Sequence, residues 1–208
     1  MALLQAAAQD RIRVMIHQFF QSPFPVIDID KKFYLREQVL GDAEAFFEYY
    51  TDPLVAQHIL ATNPKTLLEA SNEVQYCHNL FHKKQGIYWT IARKSDDKMI
   101  GAIGLYINLN HLRGELCYDL SRNYWRKGIM KAALSKVIDF SFSKIGLNRL
   151  EALTIESNVA SIGVLEKLGF HREGILKNYR FFQHKSHDVL MLALTPSAIQ
   201  STAKDLQV

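Results

Sequence analysis

Apolar positions along the chain change period several times, and each change marks an element. From Phe33 to Arg36 the pattern is that of a short strand. Gly41-Asp42 then supplies a break and a cap, which predicts a helix over Ala43–Tyr50. Asp52-Pro53 starts a second short helix, with proline at a first-turn position that tolerates it. Leu67, Leu68, Val74, Leu80 and Phe81 predict a longer helix over Thr66–Lys84. Tyr88–Ala92 and Met99–Tyr106 read as strands around the turn signal Ser95-Asp96-Asp97. Leu116, Tyr118 and Leu120 alternate with Glu115, Cys117 and Asp119, so Gly114–Leu120 is the next strand. Ala132, Ala133, Val137, Phe140 and Ile145 recur at helical spacing, which predicts a helix from about Lys127 to Lys144, closed at Gly146. Leu150–Ile155 reads as a strand and Val159–Leu168 as a helix ended by Gly169. Phe170 onward and Phe181–Ala193 read as extended, the latter interrupted at His187 and Asp188.

This order predicts an antiparallel meander over Tyr88–Leu120 followed by helical crossovers, hence a mixed α/β sheet covered on both faces. Residues 1–32 differ from the rest. A possible amphipathic helix, Ala6–Phe20, runs into Ser22-Pro23-Phe24-Pro25, which must break it. These residues read as an N-terminal arm that packs on the domain or on a partner. The domain proper is expected over 33–198, with a tail at 199–208.

Composition narrows the setting. The chain has 208 residues, 48% of them hydrophobic, enough for one domain with a full core. No run approaches a membrane span. Met1–Phe20 lacks the basic region that opens a signal peptide, and Asp10, Arg11 and Arg13 follow its apolar start. Two cysteines, Cys77 and Cys117, make no disulfide framework, and the cytoplasm is the expected compartment. A net charge of +4 suits an anionic cofactor and is too weak to argue for nucleic acid.

The stretch Asn123-Tyr124-Trp125-Arg126-Lys127-Gly128-Ile129-Met130 joins the strand ending at Leu120 to the long helix. A helix's first turn leaves N–H groups unpaired, and its dipole favours negative charge, so phosphate is the ligand class implied. Gly128 lets a ligand approach the backbone closely. The P-loop pattern is absent and no G-x-G-x-x-G occurs among the ten glycines. Arg126 and Lys127 read equally as ordinary surface charge when taken alone.

Tyr124–Met130 resembles the acetyl-coenzyme A loop of GNAT N-acetyltransferases, patterned Q/R-x-x-G-x-G/A. Two further stretches carry the resemblance: Asn158-Val159-Ala160-Ser161 continuing to Val164–Phe170, and Glu173-Gly174 with Asp188 before a terminal strand. Together with Leu35-Arg36 and Asp42 they are similar to the branch that acetylates N-terminal amines of ribosomal proteins, over about Phe33–Leu194. Trp125 and Met130 depart from the general pattern, and Leu165 stands where many members place an acidic tyrosine.

The resemblance implies a mostly antiparallel, twisted and splayed central sheet with helices on both faces. It implies transfer of an acetyl group from acetyl-coenzyme A to a primary amine, with no metal. The acceptor expected is a protein N-terminal α-amine of ribosomal-protein type, with possible ribosome association, in a monomer or homodimer. A small amine such as a polyamine or aminoglycoside, and a non-catalytic coenzyme A-binding module motivated by Leu165, remain alternatives. The loop Asp52–Lys65 carries no readable acceptor code.

Cofactor contacts are expected from Arg126, Lys127, Gly128, Ile129, Met130 and Lys131 to the pyrophosphate, and from the Tyr118–Leu120 strand edge to the pantetheine amides. A backbone N–H near Leu120 is the candidate donor to the developing oxyanion. Glu173 is the candidate base through a water, with Glu115 and Asp119 as alternatives on one strand face. Ser161, four residues before Leu165, is the candidate on the sulfur side, and a buried helix serine is its bland alternative. Asn158 caps its helix or bonds the pantetheine. His78 and His82, four apart on a helix, have metal-ligand spacing but no third ligand in sequence; His184 and His187 flank an expected turn.

Overall fold

Alternation puts Ile87, Trp89 and Ile91 on one face of a strand, all fully buried, and the neighbouring strands repeat the pattern. The computed structural model, which describes residue 16 and residues 18–196, assembles these strands into one eight-stranded sheet. In chain order the strands are β1 (Ile27–Asp28), β2 (Phe33–Glu37), β3 (Gly86–Arg93), β4 (Met99–Asn108), β5 (Arg113–Leu120), β6 (Arg149–Thr154), β7 (His171–Phe182) and β8 (Lys185–Leu194). Their spatial order is β1-β2-β3-β4-β5-β6-β8-β7. Every neighbouring pair is antiparallel except β5–β6. The meander β3–β5 is as the alternation predicts.

The helices are α1 (Ala43–Tyr50), α2 (Pro53–Ala56), α3 (Leu67–His82), α4 (Ile129–Phe140) and α5 (Val159–Glu166). One face of the sheet packs Ile87, Trp89, Ile103 and Leu105 against Ala133, Leu134 and Val137 of α4 and Ile162 and Leu165 of α5. On the other face Met99 and Ala102 pack against Phe46 and Tyr50 of α1 and Val74 of α3. Among the described residues no helix is long and apolar enough to cross a membrane.

The parallel pair shapes everything that follows. β5 and β6 are registered from Arg113↔Arg149 to Leu116↔Ala152 and no further. β5 continues to Leu120 and β6 to Thr154 without pairing further with each other, while β6 stays paired on its other edge with β8 from Leu150↔Leu194 to Thr154↔Leu190. A wedge therefore opens in the middle of the sheet. In the β4–β5 ladder Ser121 N–H donates to Ile100 O at 2.8 Å. Bonded pairs alternate along such a ladder, so the main-chain groups of Tyr118 and Leu120 face the wedge instead of β4.

Most of the expected helix over Ala6–Phe20 lies outside the described residues. The rest of the arm belongs to the same core: Ile16 and Phe20 are buried, Phe24 packs on Phe81 and Trp89, and Trp89 Nε1 donates to Pro25 O at 2.8 Å.

Three local expectations need correction. Asp42 does not cap α1. Its carboxylate instead takes two bonds from Arg36 (2.7 and 2.8 Å), one from Val39 N–H (3.0 Å) and one from Thr90 Oγ1 (2.9 Å). A buried carboxylate beside a guanidinium is satisfied there more strongly than by a helix end. The long helix starts at Ile129, not Lys127, because the backbone at Arg126 and Gly128 is left-handed. The last strand starts at Lys185: Phe181 and Phe182 end β7, and Gln183 and His184 form the turn. His187 and Asp188 lie inside β8, where Asp188 accepts from Asn178 N–H (2.9 Å) and Lys177 Nζ (2.7 Å) across an irregular stretch of β7.

Candidate active site

The turn after β5 is tied down by its own side chains. Trp125 Nε1 donates to Leu120 O at 2.7 Å, and Arg93 Nη1 donates to Tyr124 Oη at 2.9 Å. Lys127 Nζ donates to Asn123 O at 2.8 Å and lies 5.4 Å from the centre of the Tyr124 ring. Its charge is therefore engaged at the loop's entry. Arg126 has φ +59° and Gly128 φ +75°, and a Cβ at Gly128 would meet nothing within 4 Å. Left-handed residues in such a turn gather successive N–H groups on one concave side, which binds anions. Among the described residues no protein oxygen accepts the N–H groups of residues 126–131; the first return bond is Ala132 N–H to Gly128 O at 3.0 Å. The loop is thus a cradle of unpaired donors at the N-terminus of α4, and it has the shape and polarity a pyrophosphate requires.

The wedge opens into a cavity of about 420 Å³ lined by residues of both strands and of the helices on either side. Tyr118 enters from β5. Its hydroxyl stands 2.7 Å from Ser161 Oγ and donates to Ser161 O at 3.3 Å. Burial pushes the Tyr118 phenol up to about 12, against a smaller opposing effect of the Ser161 bond, so the proton stays on the oxygen at neutral pH. Asn158 Oδ1 accepts from Ser161 N–H at 3.1 Å and so caps α5, while the residue also lines the cavity. Leu165 is buried in the core.

Across the strand, Asp119 is 8% exposed and accepts hydrogen bonds from Tyr49 Oη (2.6 Å) and Tyr50 Oη (2.9 Å). Burial raises its carboxyl to about 6, and the two tyrosine bonds only partly offset that. It is ionised at pH 7.5, yet basic enough to hold a proton briefly. Glu115 is on the same face and is ion-paired with Arg180. Between them Cys117 Sγ lies 3.8 Å from Tyr88 Oη, and burial raises the thiol to about 12, so it is no thiolate.

The structure brings Tyr118, Asn158, Ser161, Glu115 and Asp119 to one cavity, and the 126–131 cradle follows in the chain from the end of the same strand, β5. It does not bring Glu173 there. Glu173 is held in a two-pronged ion pair by Arg149, is about half exposed, and has its carboxyl lowered chiefly by that arginine. Arg149 opens β6 opposite Arg113, at the closed end of the wedge, so Glu173 is at the wrong end of the strand to serve the cavity. Tyr49, Tyr50 and Arg180 carry no motif. The aromatic run Phe46, Phe47, Tyr49 and Tyr50 reads from sequence as a helix packed on the sheet that could also wall the acceptor cleft; the fold turns the hydroxyls of Tyr49 and Tyr50 onto Asp119.

Comparison with known proteins gives a consistent picture. Residues 32–171 match the family model described as acetyltransferase (GNAT) domain. An uncharacterized N-acetyltransferase, YoaA of Bacillus subtilis (strain 168), is 32% identical over 166 residues, covering 79% of this chain and 93% of its own. The ribosomal protein uS5-alanine N-acetyltransferase of Escherichia coli (strain K12) is 28% identical over 122 residues, 56% of this chain and 62% of its own. Among solved structures, the ribosomal L7/L12 α-N-protein acetyltransferase RimL in complex with coenzyme A superposes with a TM-score of 0.72 at 20% identity. That match covers 84% of this chain and 99% of RimL.

Proposed function

Because this chain belongs to the GNAT acetyltransferase family, we propose that it acetylates a primary amine from acetyl-coenzyme A, with a protein N-terminal α-amine as the acceptor. One observation carries the reading: the strand β5 that brings a protonated phenol and a carboxylate of raised pKa to the wedge leads directly into the unpaired N–H groups of residues 126–131. The similarity to a uS5-alanine acetyltransferase supports an N-terminal acceptor.

Acetyl-coenzyme A, when bound, supplies an acyl group activated as a thioester. The chain's residues meet the remaining needs. The N–H groups of Arg126, Lys127, Gly128, Ile129, Met130 and Lys131 would hold the pyrophosphate, and the wedge-facing edge at Tyr118 and Leu120, whose Leu120 carbonyl already accepts from Trp125 Nε1, would receive the pantetheine arm. Leu120 N–H is the candidate donor to the oxygen that gains charge. Asp119 takes the proton that the amine loses, through the cavity it lines. Tyr118 and Ser161, sharing a hydrogen bond of 2.7 Å, donate toward the departing sulfur. Glu115 lines the same cavity but is held in an ion pair by Arg180, which leaves Asp119 as the carboxylate for this role. A phenol at Tyr118 removes the motive for a non-catalytic reading based on Leu165.

A second acceptor class has its own support. Tyr50, Tyr76, Tyr88 and Tyr106 share the cavity wall with Glu73 and Glu115, a lining that suits a compact ammonium through cation–π and ion-pair contacts. Both free cysteines fit action in a reducing cytoplasm. A panel of peptides with free and blocked N-termini, run beside polyamines with thiol release as the readout, tests the proposal. Transfer to free-N-terminal peptides is expected; transfer confined to polyamines would replace the acceptor, and no transfer to any amine would reject the activity.

A further inference from the structure

Remote from the catalytic chemistry, β2 ends at Glu37, against the middle and last turns of α3. His78 and His82 are one helical turn apart and share a face, with ring centres 4.9 Å apart. Glu37 Oε1 lies 3.3 Å from His78 Nδ1 and 3.2 Å from His82 Nε2. These three residues offer ligand atoms that all lie within 4.8 Å of one another, the one such group among the described residues. The sequence lacks a third ligand at matching spacing; the fold supplies it from 41 positions upstream of His78.

The separations are informative. Zinc bonded at about 2.0–2.1 Å in tetrahedral geometry keeps its ligand atoms about 3.3–3.4 Å apart. Glu37 Oε1 already stands near that distance from a nitrogen on each ring. His78 Nδ1–H donates to Gln38 O at 3.0 Å, and this proton and bond would be given up when Nδ1 takes the ion. Two imidazoles and a carboxylate are the donor set of a borderline-soft divalent ion. Glu37 and His78 are half-buried, which limits their freedom, while His82 is 57% exposed and leaves the site open to an entering ion. By contrast His187 stacks on Phe182 at 3.7 Å and its Nε2 is engaged with Phe182 O, so the second histidine pair forms no such group.

We propose that Glu37, His78 and His82 form a binding site for a zinc-class divalent cation, which clamps α3 to the end of β2. α3 also carries Glu73 and Tyr76 into the wall of the central cavity, so the clamp would fix that wall. The site does not depend on the acetyltransferase reading.

The test uses the full chain without a histidine tag, stripped by chelator, then titrated with Zn²⁺ and separately with Co²⁺ as an optical probe. One Zn²⁺ per chain is expected, with a rise in Tm of several degrees and Co²⁺ absorption characteristic of low coordination. Glu37→Gln and His82→Asn should each weaken binding at least tenfold; the exposure of His82 makes that variant safe for folding, checked by circular dichroism. A His184→Asn/His187→Asn double variant should bind as the wild type does. Absence of stoichiometric binding would overturn the proposal. So would binding undiminished in Glu37→Gln and His82→Asn, or binding lost equally in the His184/His187 variant.

Discussion

Replacing Asp119 with asparagine separates what this residue costs the fold from what it gives the chemistry. Burial moves its carboxyl from 3.8 to about 6, so between those values the folded state holds a proton that the unfolded chain has released. Stability therefore falls as pH rises through this window, and it is the ionised form at neutral pH that bears the penalty. The gap corresponds to about 3 kcal/mol in full, of which about 2 kcal/mol develops between pH 4.5 and 7.5. Asparagine does not titrate. It weakens the bonds from Tyr49 and Tyr50, but that loss is similar at every pH and drops out of the comparison. Urea unfolding of both proteins across this range should show the variant gaining on the wild type by about 2 kcal/mol as pH rises. Turnover of the variant should fall by about 100-fold or more, since asparagine cannot accept the amine proton. A stability difference that is flat with pH would refute the raised pKa. Near-normal turnover would remove Asp119 from the mechanism whatever the stability showed.

Tyr118→Phe removes the phenol beside Ser161 and should lower kcat about 10- to 100-fold while coenzyme A affinity changes little; a loss in affinity with kcat intact would make Tyr118 a binding residue only. Gly128→Val forces a branched residue into a left-handed turn in front of the anion cradle, costing about 1–2 kcal/mol in backbone strain, and should weaken coenzyme A binding at least tenfold in a calorimetric titration. Glu173→Gln should leave turnover unchanged and shift stability by less than about 1 kcal/mol, because Glu173 is about half exposed and Arg149 keeps its second partner, Glu151; a marked fall in kcat would return it to the mechanism. Asp42→Ala removes one of the two carboxylates that hold Arg36, which keeps Asp97, and leaves Thr90 and Val39 without their acceptor; it should cost about 1.5–3 kcal/mol by chemical denaturation.

Local chemistry made much of this molecule legible from its residues. Period-two alternation located the meander, Pro53 opens α2, Gly146 closes the π-helical turn Ser141–Ile145 that follows α4, and Gly169 lies three residues past the end of α5. The 123–130 stretch announced a phosphate cradle because a strand, a glycine and a helix start leave donors exposed whatever the rest of the chain does. What sequence could not supply is where long strands lie relative to the wedge. Glu173 follows a glycine-aromatic pair in the expected way, yet the β7–β8 and β6–β8 registers carry it to the closed end beside Arg149. Tyr118 was legible as a strand-edge residue, but its role beside Ser161 needs the packing of α5 against β5. Tyr49 and Tyr50 meet Asp119 across 70 and 69 residues, and Glu37 meets His78 across 41; no local pattern encodes such pairings.

The central claim is that main-chain amides of residues 126–131, with the wedge-facing edge at Tyr118 and Leu120, receive the acyl carrier. Backbone amide chemical shifts on titration with coenzyme A test it most directly. The largest perturbations are expected on residues 126–131, Tyr118 and Leu120, and the Gly128→Val variant should lose them. Perturbations concentrated elsewhere, or none at saturating coenzyme A, would contradict it.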